Sequence, residues 1–282
     1  MRGLVLEGGA MRGLFSAGVI DELMSMGWQP DGIIGVSAGA AFGCNMKSGQ
    51  PGRAIRYNKR FARDPQYCSI RSLLLTGNLF NAAYAYHYVP DYLDVFDKEA
   101  FRNSPMAYYV VCTDVATGKP VYQRLDHVDY EALEWIRASA SMPLCSRMVE
   151  LDGKRLLDGG VSDSIPLRAF QQMGYGRNIV VLTQPEGYRK HPLPLPVRAL
   201  LQAAYRRHPA FARAMAVRHE MYNRQLDYVK AEEQAGRALV IRPPRELPIG
   251  HISHDPDEMQ QVYQIGRQTV RQTAAQIKEF LL

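Results

Sequence analysis

Cysteine is scarce in this chain and long apolar runs are missing. Four cysteines, Cys44, Cys68, Cys112 and Cys145, are scattered over 282 residues. None stands in CxxC spacing and no Cys/His group has zinc-ligand spacing, which excludes a disulfide scaffold and a zinc-ribbon site. The longest stretch free of Asp, Glu, Lys and Arg, Ser72 to Pro90, carries Thr76, Asn78, Asn81 and His87. It is a poor membrane span, and an integral-membrane reading falls. The apolar run before Glu7 is too short for the core of a secretory signal. Dispersed thiols and this N-terminus lead to the expectation of a cytoplasmic protein, one compatible with peripheral membrane contact. There is no internal repeat, no low-complexity tract, no heptad pattern and no collagen-like period.

What is present is ordinary globular composition, 46% hydrophobic and 22% charged. The net charge of +6 comes from 34 Lys and Arg against 28 Asp and Glu. That excess has an owner. Between Glu186 and Arg224 stand Arg189, Lys190, Arg198, Arg206, Arg207, Arg213, Arg218 and Arg224, opposed only by Glu186 and Glu220, and the rest of the chain balances. A second basic cluster, Arg53 to Arg71, is offset elsewhere. Basic helices with interleaved Tyr205, Phe211, Met215 and Tyr222 suit an anionic lipid surface as well as a simple solvated face. No nucleic-acid-binding motif is present, and no nucleic-acid partner is expected.

Periodicity places an α/β fold. Gly3–Glu7 and Asp31–Val36 are short buried strands, each followed by a loop and a helix, from Leu14 and from Ala38. This alternation implies a mainly parallel sheet with right-handed crossovers. Residues 51–104 read as mostly helical and rich in aromatics. Strands return at Ala107–Val115, Pro120–Arg124, Met148–Leu151, Arg155–Leu157 and Asn178–Thr183, and Asp152-Gly153 signals a type I′ hairpin. Beyond a Pro-rich linker, helices fit Val197–Arg207, Pro209–Gln234 and Asp257–Leu281, with a strand at Ala238–Arg242. The expected division is 1–183 for the catalytic domain and 184–282 for a mostly helical extension packed on it.

Three segments carry chemistry. Gly35-Val36-Ser37-Ala38-Gly39 is a GxSxG at a strand-to-helix turn, which forces the serine into a sharp elbow with its hydroxyl at a helix N-terminus. A tight turn with an N-capping serine gives the same spacing. Gly8-Gly9-Ala10-Met11-Arg12-Gly13 presents successive N–H groups at a helix start. Its spacing is not GxGxxG and no acidic residue closes the second strand, which disfavours a dinucleotide site. An oxyanion hole formed by the N–H groups of Gly9 and Ala10 is the better reading. Asp158-Gly159-Gly160 follows a strand, where the aspartate reaches a site at the strand ends or simply makes a turn. An α/β-hydrolase places its oxyanion loop after a third strand, whereas only two strands precede Ser37. His191, His208, His219, His251 and His254 lie in basic helices or Pro-rich loops and read as surface residues.

Glu7-Gly8-Gly9-Ala10-Met11-Arg12-Gly13, Gly35–Gly39 and Asp158–Gly160 resemble, in this order and spacing, the three signature blocks of the patatin-like phospholipases. Cys112–Gly118 and Arg137–Pro143 resemble further family segments, and the similarity runs from about residue 3 to Thr183. The resemblance implies a three-layer α/β/α fold with additional C-terminal helices. It implies a Ser–Asp dyad without a catalytic histidine, in which Ser37 is the nucleophile and Asp158 accepts its proton. It also implies an oxyanion held by Gly8, Gly9 and Ala10, with Arg12 steadying the loop or the anion, and no metal or cofactor. The family's third loop glycine is Ala10 here, and the N–H is retained. The expected function is a serine acyl hydrolase on lipid esters, of phospholipids or lysophospholipids. A generic carboxylesterase or thioesterase, and a silent lipid-binding protein of the same fold, are the alternatives. Ser72–Pro90 is expected to line an acyl channel, form a lid, or belong to the core.

Overall fold

The computed structural model describes residues 1–281. Strand β1 (Arg2–Leu6) leads through a single 3-10 turn at Ala10–Arg12 into α1 (Gly13–Ser25). Strand β2 (Gly32–Val36) leads through Ser37 into α2 (Ala38–Lys47). Helices α3 (Arg53–Phe61) and α4 (Ile70–Thr76), a π-helical segment (Tyr84–Leu93) and α5 (Lys98–Asn103) then form the aromatic-rich insertion. β3 (Ala107–Asp114), β4 (Pro120–Arg124), α6 (Tyr130–Ser139), β5 (Val149–Leu151), β6 (Lys154–Asp158), α7 (Leu167–Gln172) and β7 (Arg177–Val181) follow. The C-terminal part contributes α8 (Leu195–Ala204), α9 (Pro209–Ala216), α10 (Arg218–Gln234), β8 (Ala238–Ile241), α11 (Pro256–Gln272) and α12 (Ala274–Leu281).

The strands form one sheet in the order β5-β6-β3-β2-β1-β7-β8, with β4 also paired to β3. The run β3-β2-β1-β7-β8 is parallel, and β4, β6 and β5 attach antiparallel. The period-2 alternation of strand side chains divides the core into two faces. Leu4, Leu6, Ile33, Tyr108, Val110, Ile179 and Val181 pack against α1, α2, α6 and α11. Val5, Ile34, Val36, Val111 and Val180 pack against Phe170 of α7 and Tyr222 and Val229 of α10. The result is a mainly parallel sheet between two helical layers, as expected from the strand–helix alternation. The hairpin at Asp152-Gly153 has both residues at positive φ, +49° and +69°, the type I′ signature.

Two long helices expected from the sequence are each divided. The Pro209–Gln234 pattern breaks at Val217 (φ −100°, ψ 8°). The break lets Phe211 and Met215 fill a small cluster with Leu157 and Tyr205 while Tyr222 and Val229 pack on the sheet. The Asp257–Leu281 pattern breaks at Thr273, whose hydroxyl donates back to the Thr269 carbonyl at 2.8 Å and competes with the helical ladder.

The first and eleventh helices cross in backbone contact. A Cβ on Gly18 would lie 2.0 Å from the Tyr263 carbonyl oxygen, and one on Gly266 would lie 2.1 Å from that of Phe15. Only glycine at both positions permits this crossing, so residues near the C-terminus help to seat the helix that follows the Gly8–Arg12 loop. Gly266→Ala is expected to cost about 2–3 kcal/mol, because overpacking against backbone has no soft side chain to yield. Urea denaturation of the variant checks this.

Candidate active site

Ser37 is the residue between β2 and α2. Its backbone stands at φ +55°, ψ −122°, a region that a non-glycine residue occupies only under constraint. The flanking glycines supply that constraint by allowing close approach. A Cβ on Gly39 would meet the Leu6 carbonyl oxygen at 2.5 Å, and one on Gly35 would meet the Ala40 backbone nitrogen at 2.7 Å. The Ser37 N–H donates to Ser139 Oγ at 2.8 Å, and that hydroxyl donates to the Val111 carbonyl at 2.6 Å. The elbow is thereby tied to β3 and to the end of α6.

Ser37 Oγ donates to Asp158 Oδ2 at 2.7 Å, which brings together two residues 121 positions apart. Asp158 Oδ1 accepts from the Gly160 N–H at 2.7 Å. The Asp158 backbone is held by its N–H to the Ser141 carbonyl (2.9 Å) and by its carbonyl from Thr113 Oγ1 (2.8 Å). Burial pushes the Asp158 carboxyl above its ordinary value, and the nearby Arg218 charge and the bonds from Ser37 and Gly160 pull it back. Arg218 itself donates from Nε to the Gly160 carbonyl at 2.5 Å.

The Gly8–Arg12 loop lies against the elbow. A Cβ on Gly8 would come within 2.9 Å of Ser37 Cβ, and one on Gly9 within 2.7 Å of Thr183 Oγ1. Among the described residues, the N–H groups of Gly8, Gly9 and Ala10 donate to no protein acceptor. Ala10 takes up φ +49°, the left-handed region that glycine would enter freely. Among the described residues, Arg12 makes no hydrogen bond to Ser37 or Asp158. Its Nη1 lies 3.3 Å from His251 Nε2, and its buried Nε has no partner among the described residues. His251, which the sequence left as a surface histidine, also accepts at its carbonyl from the Met11 N–H at 3.4 Å.

Glu7 proves to be structural. Its Oε2 accepts from the Thr183 N–H at 2.6 Å and its Oε1 from the Tyr222 hydroxyl at 2.5 Å, which clamps β1 to β7 and α10 behind the loop. Burial raises the Glu7 carboxyl, and those two donors and the Arg12 charge counter it. Lys190 Nζ sits 5.1 Å from the Tyr222 ring centroid, and burial together with Arg218 lowers its ammonium to about 8. Of the basic run at 186–224, Arg189 and Arg224 engage Asp227 and Glu220, Lys190 and Arg218 turn toward the site, and Arg198, Arg206, Arg207 and Arg213 stay exposed.

A cavity of about 110 Å³ opens at Ser37 and Ala10. Its walls are mostly apolar and include Met11, Phe42, Tyr57, Leu133, Ile136 and Met142. Phe80, Ala85, Tyr86, Val89 and Pro90 complete it, so part of the Ser72–Pro90 stretch is cavity wall. The insertion is fastened by Asp94, which receives Arg53 Nε at 3.2 Å and Arg56 Nε at 2.7 Å.

A family model described as patatin-like phospholipase matches residues 4–170. The chain belongs to the patatin-like phospholipase family. A second model, described as a domain of unknown function, matches residues 208–282. The uncharacterized protein YjjU of Escherichia coli (strain K12) is 32% identical over 190 residues, which are 64% of this chain and 52% of that protein. The chain therefore spans about half the length of that relative. Lysophospholipase nte1 of Aspergillus fumigatus is 28% identical over 61% of this chain and 11% of its own length. The crystal structure of VipD from Legionella pneumophila aligns with a TM-score of 0.49 at 13% identity, covering 96% of this chain and 66% of that one.

Ser139, Glu7, Arg218 and Tyr222 were not singled out by sequence reasoning as site residues. Ser139 lies in a segment that resembles the family, which was a usable signal. Arg218 and Tyr222 had none, since their partners are far away in sequence. Ser139→Ala would leave the buried Ser37 N–H and Val111 carbonyl unsatisfied. The expected loss is about 1–3 kcal/mol of stability, read by chemical denaturation.

Proposed function

We propose that this chain is a serine acyl hydrolase that cleaves acyl esters of lipids, of phospholipids or lysophospholipids, through a Ser37–Asp158 dyad. The observation that carries the reading is the 2.7 Å hydrogen bond from Ser37 Oγ to Asp158 Oδ2, made on a strained elbow at the mouth of an apolar cavity. The apolar walls suit an acyl chain, and a relative named a lysophospholipase supports a lipid ester as substrate.

Ser37 Oγ attacks the ester carbonyl carbon as its proton passes to Asp158 Oδ2. The carbonyl π electrons move to oxygen, and the N–H groups of Gly8, Gly9 and Ala10 receive the developing oxyanion. Each such preorganised donor is worth about 3–4 kcal/mol in the transition state. Collapse of the tetrahedral adduct breaks the bond to the leaving alcohol, which takes the proton from Asp158. Water then attacks the acyl-enzyme and gives its proton to Asp158; collapse of this second adduct breaks the bond to Ser37 Oγ, which takes that proton back from Asp158 as the acid leaves. The proton acceptor is a carboxylate, and its buried setting raises its basicity toward the task. Arg12 acts on the loop through His251 in this scheme.

Three outcomes are expected. Ser37→Ala should lower kcat/KM for p-nitrophenyl acyl esters and for lysophospholipid by about 10⁴-fold or more, and should abolish labelling by a fluorophosphonate. Retained activity in that variant would sink the reading. Asp158 must be ionised to accept the proton, so kcat/KM should rise with pH through an acid limb above the ordinary value of 3.8. Arg218→Gln removes a charge that holds this carboxyl down. The pH profile of the variant should therefore shift its acid limb to higher pH.

A further inference from the structure

Helix α4 is built inside out. Its hydroxyl side chains, Ser72 and Thr76, are turned inward and hydrogen-bonded, while Arg71 stays exposed. Ser69 Oγ caps the helix by accepting from the Ser72 N–H at 2.9 Å, and Ser72 Oγ donates to the Asn78 carbonyl at 2.8 Å. Thr76 Oγ1 donates to the Ser72 carbonyl at 2.8 Å, and Asn78 Oδ1 accepts from the Arg147 N–H at 2.9 Å. Ser72 and Asn78 are buried, whereas Ile70, Leu74 and Leu75 are 73%, 81% and 71% exposed. An amphipathic helix that faces only water is arranged the other way round.

This helix is held in place. The Ser69 N–H donates to the Leu79 carbonyl at 3.1 Å, and the Leu79 N–H donates to the Cys145 carbonyl at 2.8 Å. Cys68 and Phe80 form a β-bridge across its base. The three apolar side chains therefore stay outside because the hydroxyl-bearing ones are bonded inside. Tyr67 just before the helix and Phe80 just after it both line the Ser37 cavity. Met142, another wall residue, is followed at Leu144 by a fourth exposed apolar side chain, and the Leu144 N–H donates to the Tyr205 hydroxyl at 3.2 Å. Leu195 and Leu200 of α8 are exposed as well.

We propose that α4 and the Leu144 loop form a docking surface for a lipid bilayer, from which an acyl chain passes into the Ser37 cavity without crossing water. The proposal rests on the reading of the chain as a lipid acyl hydrolase, which makes the bilayer the source of substrate. Charge favours the same occupant. No Asp or Glu lies between Asp64 and Asp91, and Arg71 and Arg147 stand exposed beside the apolar residues, with Arg206 and Arg207 exposed just beyond Tyr205. Leucines flanked by arginines match acyl chains flanked by anionic headgroups. A second copy of the chain is a poorer occupant, because an isologous contact would bring these arginines onto one another.

The test uses the full chain and vesicles of phosphatidylcholine with a minority of phosphatidylglycerol. Leu74→Gln and Leu75→Gln sit on exposed side chains, so the fold and kcat/KM for soluble p-nitrophenyl butyrate should match wild type. Each substitution should lower the vesicle partition coefficient about tenfold in co-sedimentation, the effect of withholding one leucine from an apolar phase. Hydrolysis of vesicle-embedded lysophospholipid should fall in step. Unchanged partitioning in the double variant, or a wild type that ignores the vesicles, overturns the proposal. So does a wild-type dimer in sedimentation velocity that the double variant abolishes without any vesicle binding. Loss of hydrolysis on every ester with partitioning intact would remove the enzyme reading and leave the docking surface standing.

Discussion

The backbone of Ser37 is the constraint on which the site depends. A serine at φ +55°, ψ −122° is held against its own preference, at a cost of roughly 1–3 kcal/mol. Three pieces of the fold hold it there. Gly39 lets α2 start directly beneath the Leu6 carbonyl at the end of β1. Ser139, at the end of α6, accepts the Ser37 N–H and passes the bond on to Val111 of β3. Gly8, in the loop after β1, lies against the serine side chain itself. Through Leu6 and Val111 these contacts tie the elbow to β1 and β3 of the sheet.

That anchoring makes a buried carboxylate tolerable. Desolvation pushes the Asp158 carboxyl above its ordinary value. It is opposed by donors that the fold fixes in advance, the Gly160 N–H and the Ser37 hydroxyl, and by the charge of Arg218. Glu7 repeats the arrangement one strand away, where Thr183 and Tyr222 answer its burial. One carboxylate is aimed at a serine and the other is locked behind the loop. Burial is similar in both, and the difference lies in what each is bonded to.

The segment after residue 184 enters the site from behind. Arg218 touches the turn that carries Asp158, Tyr222 closes over Glu7, and His251 meets the loop at Met11 and Arg12. Gly266 makes the tight crossing that seats α1. The basic run from Glu186 to Arg224 therefore has two uses. Some of its charges are spent inside, next to Gly160 and Tyr222, and only the remainder faces solvent.

By itself the sequence determined the elements whose cause is local. Short apolar runs made strands, Gly8–Gly13 and Gly35–Gly39 made the two turns, and Asp152-Gly153 made its hairpin, because glycine freedom and side-chain period act over a few residues. Asp158 on its own read equally as a turn residue, and it was paired with Ser37 only through the resemblance of the three ordered blocks to the patatin-like phospholipases. Tertiary structure alone decided what those residues meet. The 121 positions between Ser37 and Asp158, and the 215 between Glu7 and Tyr222, are closed by sheet register and helix packing, which no local pattern encodes. The inverted burial of α4 was hidden for a related reason. Its sequence, Ile70-Arg71-Ser72-Leu73-Leu74-Leu75-Thr76, does not say which residues turn inward, and the bonds at Asn78 and Cys145 fix which side faces water.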